Sequence, residues 1–319
     1  MATTADYLTQ LQADKQALVN NLVEKGVEAT NDETFTSLVP KVLDIQSGGA
    51  EVTKGLRIDS YDGDGYITEA TLVGMTEIPN YYFFNAFNRT DTVLGKAKLN
   101  LPNNLTKIGN YGFGSCSNLP LTELADSITQ IGNNAFQSCV NLALTKLPSS
   151  LTSIGNSAFS GCTQWVLAEL PDGITSIGQN AFYNCQKVTF TDLPSSLTSV
   201  GTYAFEYCYD IPYLNLPTGY TYINVATFMY CRGVTRVVCN GAMTYISSQA
   251  FSSCENLVEF IMPNITRVPT LSNTNAFTNT PISKGTGYIY VPDDLVESFK
   301  TASNWSTYAS QIKGISELA

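Results

Sequence analysis

Leu147-Pro148-Ser149-Ser150-Leu151-Thr152-Ser153-Ile154-Gly155-Asn156-Ser157-Ala158-Phe159-Ser160-Gly161-Cys162-Thr163-Gln164-Trp165 is one copy of a unit that recurs along the chain every 23 residues. The same spacing separates Phe113, Phe136, Phe159, Phe182, Phe205, Phe228 and Phe251, and equally Cys116, Cys139, Cys162, Cys185, Cys208, Cys231 and Cys254. A third column runs Ile108, Ile131, Ile154, Ile177, Val200, Ile223 and Ile246. A fourth runs Leu101, Leu124, Leu147, Leu170, Leu193 and Leu216, usually followed by Pro. The unit reads L-P-x-x-L-T-x-I-G-x-x-A-F-x-x-C-x-x-L, and seven copies in one register exclude coincidence.

A coil this short cannot bury its own apolar side, so each copy needs a neighbour above and below. Stacking turns the Leu, Ile, Phe and Cys columns into continuous internal ladders, with successive coils about 5 Å apart, one strand spacing. Residues 144–147 and 151–154 read as short strands. The Gly after the Ile column reads as a turn, and A-F-x-x-C as a single helical or 3₁₀ turn. The fold class is therefore a repeat solenoid.

The motif at this period, for example Ala135-Phe136-Gln137-Ser138-Cys139, resembles the BspA-like class of leucine-rich repeats found in bacterial surface and phage-associated proteins. The resemblance covers about residues 56–291. It implies a right-handed stack of coils, each a β-strand plus a short helical turn, with a C-terminal capping helix. It does not imply a ligand, because function lives in sites grafted onto such a scaffold.

The ends depart from the unit, as capping coils do. Ile78 to Ala86 aligns with Ile108 to Cys116, with Ala86 in the cysteine place; Phe277 follows Phe251 by 26 residues, with Thr280 in the cysteine place. Pro292-Asp293-Asp294 opens a helical segment whose Leu295, Val296, Phe299, Trp305, Tyr308 and Ile312 give it an apolar side fit to plug the last coil. The organisation expected is a helical segment over 1–46, a Ser47-Gly48-Gly49 linker over 47–50, a solenoid over 51–291 with regular repeats at about 99–260, and a cap over 292–319.

In the N-terminal segment Leu8, Leu11, Leu18 and Leu22 fall on a and d heptad positions, with Lys15 as a polar interruption. The segment reads either as a cap on the first coil or as a coiled-coil module for oligomerisation or attachment. Residues 7–11 and 35–43 resemble N-terminal segments of tail proteins from phages of Gram-positive hosts, where the segment looks like an attachment module.

Composition narrows the chemistry. The chain has no histidine, which removes the usual general base and the Ser-His and Cys-His pairs. No catalytic residue is expected, no cofactor, and no paired acidic arrangement stands out. A net charge of −10 disfavours nucleic acid and anionic membranes as partners. No secretory signal and no spanning segment is read. One cysteine per coil has no natural partner, so the column thiols are expected to be reduced and buried.

Two further features bear on binding. Ser60-Tyr61-Asp62-Gly63-Asp64-Gly65-Tyr66-Ile67 has the look of a calcium loop, with Asp62 and Asp64 as weak candidate ligands. However, Ser60 and Thr71 stand where carboxylates belong, and strand-like flanks favour a hairpin turn. Nine of the 18 tyrosines lie between Tyr183 and Tyr245, and tyrosine supplies contact area at low entropic cost. Tyr183, Phe190, Tyr207, Tyr209, Tyr213 and Tyr230 are the candidate ligand-binding residues. The column Leu121, Leu144, Leu167, Phe190, Tyr213 and Arg236 lines either a face or the core, and a one-residue register change decides which.

The function expected is non-enzymatic binding or adhesion. The leading expectation is a phage tail component, made in a host cytoplasm and contacting a host surface protein or glycan. The alternative is a bacterial cell-surface or secreted adhesin.

Overall fold

The computed structural model describes Thr30, residues 54–61, 67–87, 94 and 97–318. The heptad leucines, the 47–50 linker, Asp62 and Asp64 lie outside the described residues. The chain divides into two compact units, Met1–Met75 with Ala86–Pro102 and Thr76–Asn85 with Asn103–Ala319.

In the first unit, Gly55–Tyr61 and Ile67–Val73 pair antiparallel, with Leu56 opposite Leu72 and Ile58 opposite Ala70. Lys98–Asn100 adds in parallel to the second of these strands. Leu56, Ala70 and Leu72 are buried, while Glu69 accepts from Lys98 and Asn100 at 2.9 and 2.8 Å. Thr71, at the twelfth position of the calcium-like spacing, donates its hydroxyl to Asp59. The flanks of that motif are thus paired strands.

The second unit is a β-solenoid of about nine stacked turns. One edge carries two-residue parallel strands, Glu77–Ile78, Lys107–Ile108, Gln130–Ile131, Ser153–Ile154, Ser176–Ile177 and Ser199–Val200. The ladder resumes as Tyr222–Ile223, Tyr245–Ile246 and Thr270–Leu271. In the later coils a second edge forms longer parallel strands, Leu214–Leu216, Arg236–Cys239, Glu259–Ile261 and Tyr288–Val291. Residues 144–147, expected as a strand, form none. Those four residues run buried, exposed, exposed, buried, without the alternation that Leu214, Asn215 and Leu216 show as buried, half-buried, buried.

The A-F-x-x-C segment is neither an α nor a 3₁₀ turn but a run of tight turns hydrogen-bonded to the next coil. In Gly132–Cys139 the backbone N–H groups alternate. Asn134, Phe136 and Ser138 donate to Asn156, Ala158 and Ser160 of the next coil at 2.7–2.8 Å, and Ala135, Gln137 and Cys139 donate three residues back at 3.0–3.4 Å. Two residues per coil, here Asn134 and Ser138, take the left-handed backbone at φ 57° and 58°. That conformation costs a non-glycine residue about 1–2 kcal/mol, and a net hydrogen bond returns about 0.5–1.5. The segment holds only because it is bonded to its neighbour.

Glycine after the Ile column serves close approach, not the turn expected of it. A Cβ on Gly155 would lie 2.6 Å from the Gly132 carbonyl carbon, and one on Gly201 would lie 2.4 Å from the Gln179 nitrogen. Each glycine instead donates its N–H across the gap, Gly178 to Ile154 and Gly201 to Ile177, at 2.9 and 2.8 Å. Where Asn224 takes this place, its side-chain Nδ2 reaches the Val200 carbonyl at 2.6 Å. This is where the two-residue ladder is interrupted.

Inside, the Phe rings stack from Phe83 to Phe277 with centroids 5.1–5.8 Å apart and planes within 4–18°. The column thiols donate to Phe carbonyls of the preceding coil at 2.9–3.3 Å, as Cys139 does to Phe113. A small apolar side chain with a weak donor fits there. The tail closes the stack differently from the expected plug. Its helix is short, Val296–Thr301, and Ile312–Gly314 then pairs with Tyr288–Val291 as a final strand. Phe299, Trp305, Tyr308 and Ile312 are buried, with Trp305 Nε1 donating to the Pro269 carbonyl at 2.7 Å; Leu295 and Val296 stay half-exposed.

Phe159 stacks between Phe136 and Phe182 and touches Trp165 at 4.6 Å. Phe159→Ala is expected to cost about 3–5 kcal/mol in denaturant unfolding, with hydrogen-exchange protection falling in the coils on both sides. All eight cysteines are free and buried, and burial holds the thiols of Cys139, Cys162, Cys208 and Cys231 well above the usual thiol range. Native labelling by a thiol reagent should therefore be slow and rise sharply on denaturation. Fast native labelling of several column thiols would contradict the ladder.

Candidate functional site

The Ile, Phe, Cys and Leu ladders point inward, so a ligand must meet the positions between them. Across the second unit these are mostly Ser, Thr and Asn that hydrogen-bond from coil to coil. Asn133 and Asn156 accept the backbone N–H of the next coil through their Oδ1 atoms at 2.9 Å, and Thr152 and Thr175 donate to carbonyls of the preceding coil at 3.1 and 3.2 Å. A groove of about 490 Å³ runs along this edge past Ser176, Gly178, Ser199, Gly201 and Asn224, with no titratable side chain in its lining. Among the described residues no group of three His, Cys, Asp or Glu side chains is placed to hold a metal ion.

The pattern changes at the turn edge over residues 183–232. Tyr207 and Tyr230, one coil apart, stack at 4.6 Å with planes 7° apart. Tyr183 meets Tyr207 edge-on at 5.5 Å, and Tyr209 meets it at 6.1 Å. The Arg232 guanidinium lies over Tyr209 and Tyr230 at 5.4 and 5.9 Å and pairs with Glu255 at 3.3 Å. Lys187 pairs with Asp210 at 3.1 Å on the same side. Tyr207 and Tyr230 are held by the coil contacts themselves, donating their N–H groups to the Met229 and Ser252 carbonyls at 3.0 and 2.9 Å.

Four of the six candidate residues, Tyr183, Tyr207, Tyr209 and Tyr230, are thus brought together. Phe190 is not among them. It is only 1% exposed and packs edge-on between Phe182 and Phe205 at 6.0 and 5.4 Å, so it belongs to the core. Its column divides: Leu121, Leu144 and Leu167 are buried with Phe190, whereas Tyr213 and Arg236 are exposed. The reason is the switch to true strands, whose inward alternation begins one residue later, at Leu214 and Val237. Tyr213 has no ring contact with the cluster among the described residues.

The residue that reading by columns overlooked is Glu206. It follows Phe205, in a column where Gly114, Gln137, Ser160, Tyr183, Met229 and Ser252 are uncharged; a lone charge in that column was the available signal. Glu206 is 8% exposed as a residue; its backbone bonds to Tyr203 and Asn184, and its carboxylate makes no hydrogen bond or ion pair among the described residues. Burial raises its carboxyl above the ordinary range. Burial and then the Glu206 charge raise the phenols of Tyr183 and Tyr207. Such an arrangement can hold a ligand by ring contact and charge; it offers no nucleophile with a base beside it.

A carboxyl whose folded pKa is raised binds more protons in the native than in the unfolded state, so stability falls as pH rises through the interval between the two values. Glu206→Gln should therefore raise the unfolding temperature at pH 7. The gain should disappear as pH drops below the ordinary carboxylate range. Equal or lower stability of the variant at neutral pH would mean the carboxylate is satisfied in solution.

No curated protein matches the chain. Among solved structures it is similar to a leucine-rich repeat protein of T. pallidum, at 23% identity over 62% of this chain and 86% of that one, TM-score 0.45. It is also similar to a leucine-rich cell surface protein of Faecalibacterium prausnitzii, at 16% over 80% and 91%, TM-score 0.34. The pneumococcal vaccine antigen PcpA matches at 14% over 83% and 89%, TM-score 0.37. The BspA type leucine-rich repeat region matches in six copies, over residues 76–169 and 166–283. With that match spanning more than half of the sequence, and with the stacked coils and their ladders in place, the chain belongs to the BspA-type leucine-rich repeat family.

Proposed function

We propose that this protein is a non-enzymatic binding or adhesion protein of a bacterial cell surface or its secretions, and that it engages a surface protein or glycan of a host through the tyrosine edge. The observation that carries this is the contact cluster of Tyr183, Tyr207, Tyr209 and Tyr230 with Arg232 across three successive coils. Tyrosine and arginine are the residues enriched at binding hot spots. The family region supports the surface reading. A virion-tail role rests on residues 1–45, of which Thr30 alone is among the described residues. Self-association through that segment would add avidity to weak contacts, and remains part of the proposal as a second, separable feature.

The purified chain should bind a restricted set of members on glycan and protein arrays. Paired Tyr207→Ser and Tyr230→Ser substitutions should weaken that binding about tenfold or more. The control Val166→Thr, at a position 62% exposed on another coil, should leave it unchanged. Binding that survives the tyrosine changes and falls with the control would move the site elsewhere.

A further inference from the structure

A ring stack on the ladder edge of the solenoid stops one coil short. Tyr222 pairs in register with Tyr245 on the two-residue ladder, and Tyr245 pairs with Thr270 on the following coil. The two rings lie 4.7 Å apart with planes 5° from parallel, about one strand spacing. A third ring would continue the column, but Thr270 brings only a hydroxyl and a methyl there. A cleft of about 460 Å³ opens at that end of the stack, lined by Tyr245, residues 268–272 and residues 302–305. Its volume falls within the roughly 300–1,000 Å³ of small-ligand sites. The tail is tied down beside it, with Asn304 Nδ2 donating to the Leu271 carbonyl at 2.8 Å and Trp305 Nε1 to the Pro269 carbonyl at 2.7 Å. Asn304 holds its place at φ 62°, the one left-handed non-glycine outside the coil turns among the described residues.

The lining decides the class of occupant. It holds no Asp, Glu, Lys or Arg, so an ion would give up hydration there without gaining a partner. The side-chain hydroxyls of Thr270, Ser272 and Ser303 make no hydrogen bond among the described residues and stay open to the rim of a ligand. A ligand that both covers Tyr245 and reaches these groups has an apolar face and a hydroxylated edge. A neutral pyranose has that form. Its axial C–H bonds offer a positively polarised face to a ring whose own face is negative, and its hydroxyls donate as well as accept. An aromatic side chain would continue the stack but leave the protein hydroxyls unanswered. We propose that the Tyr245 cleft binds a neutral pyranose unit of a glycan, lying on the Tyr245 ring as the next member of the Tyr222–Tyr245 stack. The site shares no residue with the tyrosine edge, goes beyond that reading and does not depend on it.

The test titrates the full chain with methyl glycosides of glucose, galactose, mannose, N-acetylglucosamine and N-acetylgalactosamine. N-acetyl-tryptophan amide serves as the aromatic alternative. Saturation-transfer NMR reads binding, and transfer should be strongest at the ring C–H protons of one sugar face. At least one glycoside should bind, at the millimolar strength of a single ring. Tyr245→Leu removes the ring but keeps apolar bulk, and should weaken that glycoside about tenfold, the upper end of an aromatic contact. Thr270→Tyr supplies the missing ring from the chain itself and should abolish binding. The control Val166→Thr should leave it unchanged, and thermal unfolding verifies that each variant is folded. Binding by no glycoside, binding that survives either cleft variant, or transfer spread evenly over both sugar faces overturns the assignment. Preference for the tryptophan probe over every glycoside overturns it as well and gives the cleft to a protein side chain. Should Tyr245→Leu fail to fold, Thr270→Tyr and the transfer pattern on the unaltered chain carry the same decision.

Discussion

Every second peptide N–H in the turn segment of a coil is satisfied only by the next coil, and the rest of the second unit follows from that dependence. A single coil would leave the donors of Asn134, Phe136 and Ser138 unpaired and two of its residues in a left-handed backbone. Both costs are offset only by stacking, so a coil is stable as part of a stack and not alone. The same contact sets the spacing that brings the Phe rings into register and places each cysteine thiol under a carbonyl of the coil before it. Cysteine suits that position because the space takes a small apolar atom while the carbonyl still has a lone pair to fill.

The close approach also explains where the repeat changes character. From Gly109 to Gly201 the position after the Ile column must lack a Cβ, because the preceding backbone occupies that space. Asn224 breaks the series, and its side-chain amide takes over the hydrogen bond a backbone N–H made in the coils before. From about this coil onward the opposite edge forms true parallel strands, Leu214–Leu216 and its successors. The tyrosines gather across the same transition. A shift in how coils meet and a change in what the surface presents coincide in the chain.

Much of this was legible in the sequence because a strict period converts one inference into seven. The Phe, Cys, Ile and Leu columns identified the inward positions, and all of them are buried in the second unit. What period alone does not encode is local backbone geometry. Asn134, Ser157 and Asn180 share a left-handed φ although they look like ordinary polar residues, so the A-F-x-x-C segment reads as a helical turn when it is a staircase of turns. The glycines read as turn residues for the same reason, when their partner lies in the preceding coil. Phe190 and Tyr213 were misjoined because a column of constant spacing hides a one-residue change of phase. Glu206 escapes a reading by columns because a charge present in a single coil has no period.

The tyrosine edge inherits its rigidity from the scaffold. Tyr203, Tyr207 and Tyr230 occupy the left-handed positions of their coils at φ 59°, 63° and 60°, a conformation disfavoured for a bulky side chain by about 1–2 kcal/mol. Every coil contains such positions, so this strain is architectural and does not by itself mark a site. Its consequence for binding is nonetheless direct. A ring on a backbone bonded from coil to coil, and stacked on a ring one coil away, has little freedom left to lose when a ligand arrives. Serine or asparagine at those positions, as at Ser138 or Asn184, uses the backbone only to hold the stack. Tyrosine there uses the same backbone to present a stacked aromatic surface, so the outer positions of the repeat change while the Phe and Cys ladders of the core do not.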